Sequence, residues 1–385
     1  MKQIPYGRQN ITDEDIQSVV KVLKSDLLTQ GPKIAEFEKA FTEYIGVKYA
    51  VAVSNGTAAL HLCALALGVK EGDKVITTPI TFSATANCVR YAGGDVVFAD
   101  IDPNTYLLDI NEVEKLLAAS PKGTYKGIIP VDFAGRAVDL EAFRKLADKY
   151  GCWIIEDTCH APGGYFTDSK GIKHKCGSGD FAELAIFSFH PVKHIAIGEG
   201  GMITTNNEEL YHKLRMLRTH GIQQRTELIK NNNSDPWYYE LQELGFNYRL
   251  TDVLAALGIS QLKRAKEGLK RRIEIAEKYN NIFKNKPYIK RHSGIISGHA
   301  YHLYVIESEK RKELYEYLRT KNIYAQVHYI PLHLMPYYSQ YGWKLGDFPN
   351  AENYYKHCLS IPMFPTLTDV QQNYVINTIN DFFTV

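Results

Sequence analysis

Between residues 49 and 205, short apolar runs alternate with stretches of helical period. Tyr49–Val53, Lys74–Thr78, Asp95–Ala99, Gly127–Val131, Trp153–Ile155, Leu184–Phe187 and Met202–Thr204 read as strands. Ala58–Leu67, Ser83–Ala92 and Leu140–Tyr150 read as helices between them. A helix that returns the chain to the start of the next strand makes neighbouring strands parallel. The alternation therefore predicts an α/β fold with a mostly parallel central sheet covered on both faces. Ligands of such sheets bind beyond the carboxyl ends of the strands. The residues just after each apolar run are thus where chemistry is expected.

Three such segments carry it. After Val53 comes Ser54-Asn55-Gly56-Thr57, where small residues at a helix start expose amides that suit a phosphate. A plain tight turn is the bland alternative. After Ile155 come Glu156 and Asp157, then His160. After Phe187 comes Ser188-Phe-His-Pro-Val-Lys193-His, leading to Gly198-Glu-Gly-Gly201. A lysine able to form a Schiff base and a strand-end aspartate are the two groups that pyridoxal phosphate requires. The lysine holds the aldehyde carbon, and the aspartate keeps the ring nitrogen protonated. Phe82, after Thr77-Thr78-Pro79, reads as a core aromatic or as a ring that stacks on a flat cofactor. Asp157 alone reads equally as a loop cap, and His160 as a satisfied core histidine or a partner of a phenolic oxygen. His190 and His194 flank Lys193 but have no third ligand at a sensible spacing, so no metal is expected. Gly198–Gly201 lacks the Lys-Ser/Thr of a P-loop.

The 385 residues suffice for two domains, expected as a large cofactor-binding domain over 1–250 and a smaller α+β domain over 251–385. Helices are expected at 12–24 with Thr12 as N-cap, and at 33–45, 207–218, 251–283 and 366–383. Segments 300–306, 309–321 and 324–329 read as parts of the smaller α+β domain, and 220–245 as a long functional or interface loop. Lys270-Arg271-Arg272 reads as a solvated helix face. A net charge of +2 points to neither nucleic acid nor a membrane surface. The six cysteines show no metal-type spacing and read as reduced residues of a cytoplasmic protein. No apolar signal region opens the chain, and no run of about 18 apolar residues follows.

In order, SNGTAAL, TPITFSATAN, PVDFAGRAVDL, IIEDTCHA, FSFHPVKHIAIGEGGMITT, LRTHGI, FNYRLTDVLAALGISQLK and AQVHYIPLH resemble the DegT/DnrJ/EryC1/StrS sugar aminotransferases. The resemblance spans nearly the whole chain. Within the family, the TPITF, VDFAG, SFHPVKHI and VHYIPLHLMPYY segments look most like the C4 aminotransferases of UDP-4-keto-6-deoxy-N-acetylhexosamines in pseudaminic acid biosynthesis. The resemblance implies the type I pyridoxal phosphate aminotransferase fold and a homodimer with shared active sites. It implies that Lys193 carries the cofactor, Asp157 pairs with the ring nitrogen, His160 lies near the ring hydroxyl and Phe82 stacks on the ring. Gly56, Thr57 and Ser188 would hold the phosphate, and Asn247 would reach it from the partner subunit.

The implied reaction moves an amino group from L-glutamate to C4 of a UDP-linked 4-keto sugar. Tyr6, His220 and His328 are the expected wall residues on the substrate side. Phe166–Asp180, longer than in many members, reads as a surface or interface hairpin, and Thr158-Cys159 stand where smaller residues are common. Three alternatives stay open: an aminotransferase for another nucleotide-linked sugar of bacillosamine or perosamine type, a sugar dehydratase, and a non-catalytic cofactor-binding regulator. The dehydratase reading is disfavoured by Lys193, whose place is taken by histidine in those enzymes.

Overall fold

The strands expected between residues 49 and 205 form one seven-stranded sheet in the computed structural model, which describes residues 3–231, 233 and 235–384. In chain order the first strands are β1 (Ile4–Pro5), β2 (Tyr49–Val53), β3 (Lys74–Thr77), β4 (Asp95–Phe98), β5 (Tyr125–Ile129) and β6 (Trp153–Asp157). Then come β7 (Tyr165–Thr167), β8 (Lys173–Lys175), β9 (Leu184–Ser188) and β10 (Gly201–Thr205). The large sheet runs β2-β10-β9-β6-β5-β3-β4. All its pairings are parallel except those of β10, which runs antiparallel to both β2 and β9. Gly201 lies opposite Val53 on one side and Ser188 on the other.

Alternate residues of these strands feed opposite layers, as a period of two requires. Val51, Val53, Ile186 and Ile203 join the cluster that holds α3 (Gly56–Ala66), whereas Ala50, Ala52, Phe187 and Met202 pack with Phe37 and Phe41 on the other face. Those two phenylalanines lie on α2 (Pro32–Ile45), which follows α1 (Asp13–Leu23). The remaining helices of this part are α4 (Ser83–Tyr91), α5 (Ile110–Ala118), α6 (Leu140–Tyr150) and α7 (Glu208–Arg218). Helix α5 has no counterpart in the sequence reading. The α6 boundaries match it, with Asp139 capping the Ala142 amide and Gly151 closing the helix at φ +76°.

The helix expected over 251–283 is two helices, α8 (Asp252–Lys263) and α9 (Ala265–Phe283). The break falls at Arg264, whose backbone leaves the helical region at φ −104° and ψ 4° and whose guanidinium is held by Asp15 of α1 at 2.8 Å and by the Asn10 carbonyl at 3.2 Å. The expected solvated face at 270–272 is likewise corrected. Lys270 is exposed, but Arg272 is 1% exposed. At about 100° per residue it falls on the same stripe as Ile275, Ala276 and Tyr279, all buried.

Around α9 a second core gathers β14 (Tyr304–Glu307), flanked by β13 (Arg291–His292) and β16 (Cys358–Ile361), with α10 (Arg311–Thr320) and the helix Asp369–Thr384. Only Ile323 and Tyr324 of the expected segment 324–329 and its edge form a strand, β15. The rest turns inward to wall a cavity, meeting the sheet where Gln326 and Ser360 exchange backbone bonds of 3.0 and 2.8 Å. We propose 1–250 and 251–385 as the two units of the chain. They are tied together where β1 pairs in parallel with β15 and where α8 packs on α1 and α2. Strands β7 and β8 make the expected hairpin within 166–180. Strands β11 (Ile222–Gln223) and β12 (Glu240–Leu241) pair within the expected 220–245 loop. Among the described residues no helix is long and apolar enough to cross a membrane.

Candidate active site

A cavity of about 760 Å³ opens beyond the carboxyl ends of β2, β6 and β9, walled on the far side by Tyr6 and residues 326–330. Asn55, Gly56, Thr57, Phe82, Asp157, His160, Ser188, Lys193 and His328 all line it. Eight of these nine are the residues singled out by the sequence, and they arrive from five separate parts of the chain.

Asp157 ends β6 and is 4% exposed. Its backbone is fixed on both sides, the amide donating to the Pro130 carbonyl and its own carbonyl accepting from Asp132, each at 3.0 Å. The carboxylate accepts from the Thr85 hydroxyl at 2.7 Å and from the Cys159 amide at 3.2 Å. Thr81 meets the same Thr85 hydroxyl at 2.8 Å. The first turn of α4 therefore aims a hydroxyl pair at a carboxylate from β6.

Lys193 follows β9 through a turn in which its amide donates to the His190 carbonyl at 2.8 Å. Its side chain is partly buried and lines the cavity. Burial lowers its pKa and the Arg272 charge lowers it further, against the opposing pull of Cys159 and Asp157. The shift is toward the neutral amine, the form in which a lysine acts as nucleophile and base.

His160 accepts from the Ala134 amide through Nδ1 at 3.3 Å, which assigns its proton to Nε2, 3.3 Å from the Tyr329 hydroxyl. Burial, with Lys193, His328 and His194 nearby, drives its pKa well down, so the ring is neutral. His302 stacks on it at 4.3 Å between centroids. His328 is pushed down to about 3 by burial and by Lys193. It bonds Ser360 Oγ at 2.9 Å, with the Tyr6 ring 4.9 Å away.

The start of α3 is built for an anion. Asn55 caps the Ala58 amide at 2.8 Å, while the amides of Gly56 and Thr57 precede the first helical hydrogen bond. A Cβ on Gly56 would stand 3.0 Å from Ser188 Cβ and 3.4 Å from its hydroxyl, so glycine lets Ser188 close on this helix end. Phe82 is 59% exposed at the cavity, which excludes its reading as a core aromatic.

His220 and Asn247 are not among the residues lining this cavity. Both are exposed and lie side by side, with Thr219 bridged to Asn247 and the His220 amide bonded to the Phe246 carbonyl at 2.9 Å. His194 spends Nε2 on the Ala300 carbonyl at 2.8 Å and packs on His302. Among the described residues, close ligand atoms group only at Asp132, Glu156 and Cys176, all buried. There Asp132 and Glu156 bond the Val138 and Gly177 amides, each at 2.9 Å, and burial raises both carboxyls. Sequence reasoning missed Thr85, His302 and Tyr329. Thr85 and Tyr329 do stand inside the family-like segments TPITFSATAN and AQVHYIPLH.

The family profile of DegT/DnrJ/EryC1/StrS aminotransferases matches residues 9–380. The chain belongs to that family. It is a pyridoxal-phosphate-dependent aminotransferase of the type I fold. The chain is 40% identical to the spore coat polysaccharide biosynthesis protein SpsC of Bacillus subtilis, over 98% of this chain and 96% of the relative. It is 39% identical, with the same coverage, to the UDP-4-amino-4,6-dideoxy-N-acetyl-beta-L-altrosamine transaminase of Campylobacter jejuni. Among solved structures, Helicobacter pylori PseC, an aminotransferase of pseudaminic acid biosynthesis, aligns with a TM-score of 0.89 at 32% identity over 100% of both chains. The residues present fit the cofactor: a helix start that glycine at position 56 lets Ser188 approach closely, a buried carboxylate, an exposed ring at Phe82 and a lysine lining the same cavity.

Proposed function

We propose that the protein transfers the amino group of L-glutamate to C4 of UDP-2-acetamido-2,6-dideoxy-β-L-arabino-hexos-4-ulose. The product would be UDP-4-amino-4,6-dideoxy-N-acetyl-β-L-altrosamine, a step toward pseudaminic acid. The observation that carries the reading is the meeting of Lys193 and Asp157 in one cavity with the amides of a helix start. The sugar assignment draws its support from the names of the Campylobacter and Helicobacter relatives.

Pyridoxal phosphate, when bound, supplies an aldehyde that carries the amino group and a ring that accepts electrons. In this proposal Lys193 holds the cofactor at rest. Once freed, its neutral amine takes the proton from the α-carbon of glutamate, and in the second half it returns a proton to C4 of the sugar. Asp157, which accepts hydrogen bonds from Thr85 and Cys159, would pair with the protonated ring nitrogen. Gly56, Thr57 and Ser188 bind the phosphate, Phe82 covers the ring face and neutral His160 donates toward the ring oxygen. Tyr6 and His328 wall the sugar side.

Asn247 and its neighbour His220 serve the site of a second copy in a homodimer. In support, Trp237, Leu241 and Leu244 on the same loop are 77%, 68% and 85% exposed, an apolar surface that pairing would cover. The SpsC relationship favours a second reading, an aminotransferase for another nucleotide-linked 4-keto-6-deoxy sugar of bacillosamine or perosamine type.

Product analysis separates the two. The protein, pyridoxal phosphate and L-glutamate would be incubated with the β-L-arabino ketone and, separately, the α-D-xylo ketone, and the amino sugar identified by NMR. Altrosamine from the first supports the proposal, while turnover of the second alone selects the rival. Absence of any spectral change with glutamate would point to a regulator.

A further inference from the structure

Arg272 is the largest fully buried side chain and among the described residues it forms no ion pair. Its Nη1 donates to the carbonyls of Tyr301, His302 and Met363 at 3.1, 3.2 and 3.0 Å, while Nε is buried without a partner. Burial pushes its pKa down to about 9, so it remains a cation at neutral pH. A dry, unpaired charge is costly, and a chain that needed only packing here would do better with an apolar residue. The position therefore calls for a use of the charge.

That use lies one layer toward the cavity. His302, whose carbonyl Arg272 holds, is stacked on His160 at 4.3 Å and lies 5.7 Å from His194. His194 follows Lys193 directly and faces the same guanidinium, with its Nδ1 unpartnered.

We propose that Arg272 is a positioning residue for transamination: it pins the backbone at 301–302 and 363 so that His302 supports His160, and it sets an unpaired positive charge behind Lys193. The groups around Lys193 are Asp157 and Cys159 at the end of β6, His160 just beyond them, and His194 beside it. His302 and His328 complete the wall from the second unit, with Arg272 behind on α9. Asp157 and Cys159 favour a proton on the lysine, and the four histidines are driven toward neutrality by burial. Arg272 is thus the fixed charge that opposes the proton. A fixed cation favours the neutral form of a neighbouring base, so its removal raises the pH at which that base loses its proton.

The inference rests on Lys193 being the cofactor lysine, and the test separates the two. Holoenzyme of wild type, Arg272→Met and Arg272→Lys would be titrated with pH, following the visible band of the lysine-bound cofactor. The glutamate half-reaction would be timed in a single turnover. In Arg272→Met the midpoint should rise and the half-reaction should slow. In Arg272→Lys the charge is kept but three carbonyls cannot be held. Its midpoint should stay near wild type while the half-reaction still slows.

A wild-type midpoint in Arg272→Met overturns the proposal. Should Arg272→Met fail to fold, a half-reaction within about twofold of wild type in Arg272→Lys, or a raised midpoint there, overturns it as well. Lys193→Ala provides the control. A lysine-type band that survives in that variant would remove the cofactor assignment and leave the role of Arg272 without its premise.

Discussion

Thr85→Val tests the site most directly. The change swaps a hydroxyl for a methyl of similar volume at a position 1% exposed, so it opens no cavity. It removes the 2.7 Å donor to Asp157 and also takes the partner of the Thr81 hydroxyl. A hydrogen bond to a charged group is worth about 1.5–3 kcal/mol net. The lower part of that range applies, because the Cys159 amide continues to serve the carboxylate at 3.2 Å. About 1.5–2 kcal/mol less stabilisation of charged Asp157 corresponds to roughly a 10- to 30-fold loss in holding the ring nitrogen protonated. The glutamate half-reaction, followed in a single turnover by absorbance, should slow by that factor, and cofactor affinity should fall. Thr85→Ser keeps the hydroxyl and should recover most of the rate. A valine variant within about threefold of wild type in both measurements would refute the idea that Thr85 maintains Asp157.

Lys193→Ala should abolish turnover, checked by product formation under conditions that detect about one part in a thousand of the wild-type rate. Gly56→Ala places a methyl 3.0 Å from Ser188 Cβ and should weaken cofactor binding by about tenfold while the protein stays folded, as read by cofactor titration beside a thermal melt. His174 sits between Asp180 at 2.7 Å and Asp168 at 3.1 Å. Burial alone would lower its pKa, but these two bonds outweigh it and raise it. A raised histidine stabilises the fold fully below its ordinary value near 6.5 and loses that contribution as pH rises through the folded value. His174→Gln should therefore lower the melting temperature more at about pH 5.5 than at about pH 9, and equal shifts would count against the pairing.

The sheet was legible because a strand buried on both faces leaves a run of apolar residues, whatever its neighbours are. Lys193 and Asp157 were legible because each follows such a run. Thr85 was not, since its meaning depends on a carboxylate 72 residues away. His302 and Tyr329 come from irregular segments whose backbone follows no period, and only packing brings them to His160. Arg272 was misread because a basic triplet is ordinarily solvated, and only its phase on α9 relative to Ile275 and Tyr279 turns it inward. The break at Arg264 left no such mark, since no glycine or proline stands there and the partner of its side chain, Asp15, lies at the other end of the chain. Phe82 stood between two readings, and its exposure decided between them.

The antiparallel strand β10 carries a consequence for how the molecule comes into being. In the large sheet, among the described residues, β2 pairs with β10 and with no other strand. The turn at Gly56 hangs from β2, yet the ladder partner of that strand begins at Gly201. A nascent chain must therefore release some 150 residues beyond the first strand of this sheet before that strand has a partner for its backbone hydrogen bonds, although α2 is already there to cover one face. The proposed phosphate cradle is among the earliest segments to be synthesised and among the last to be secured. A chaperone, or a premature stop before residue 201, would meet the protein with its first strand still unclaimed.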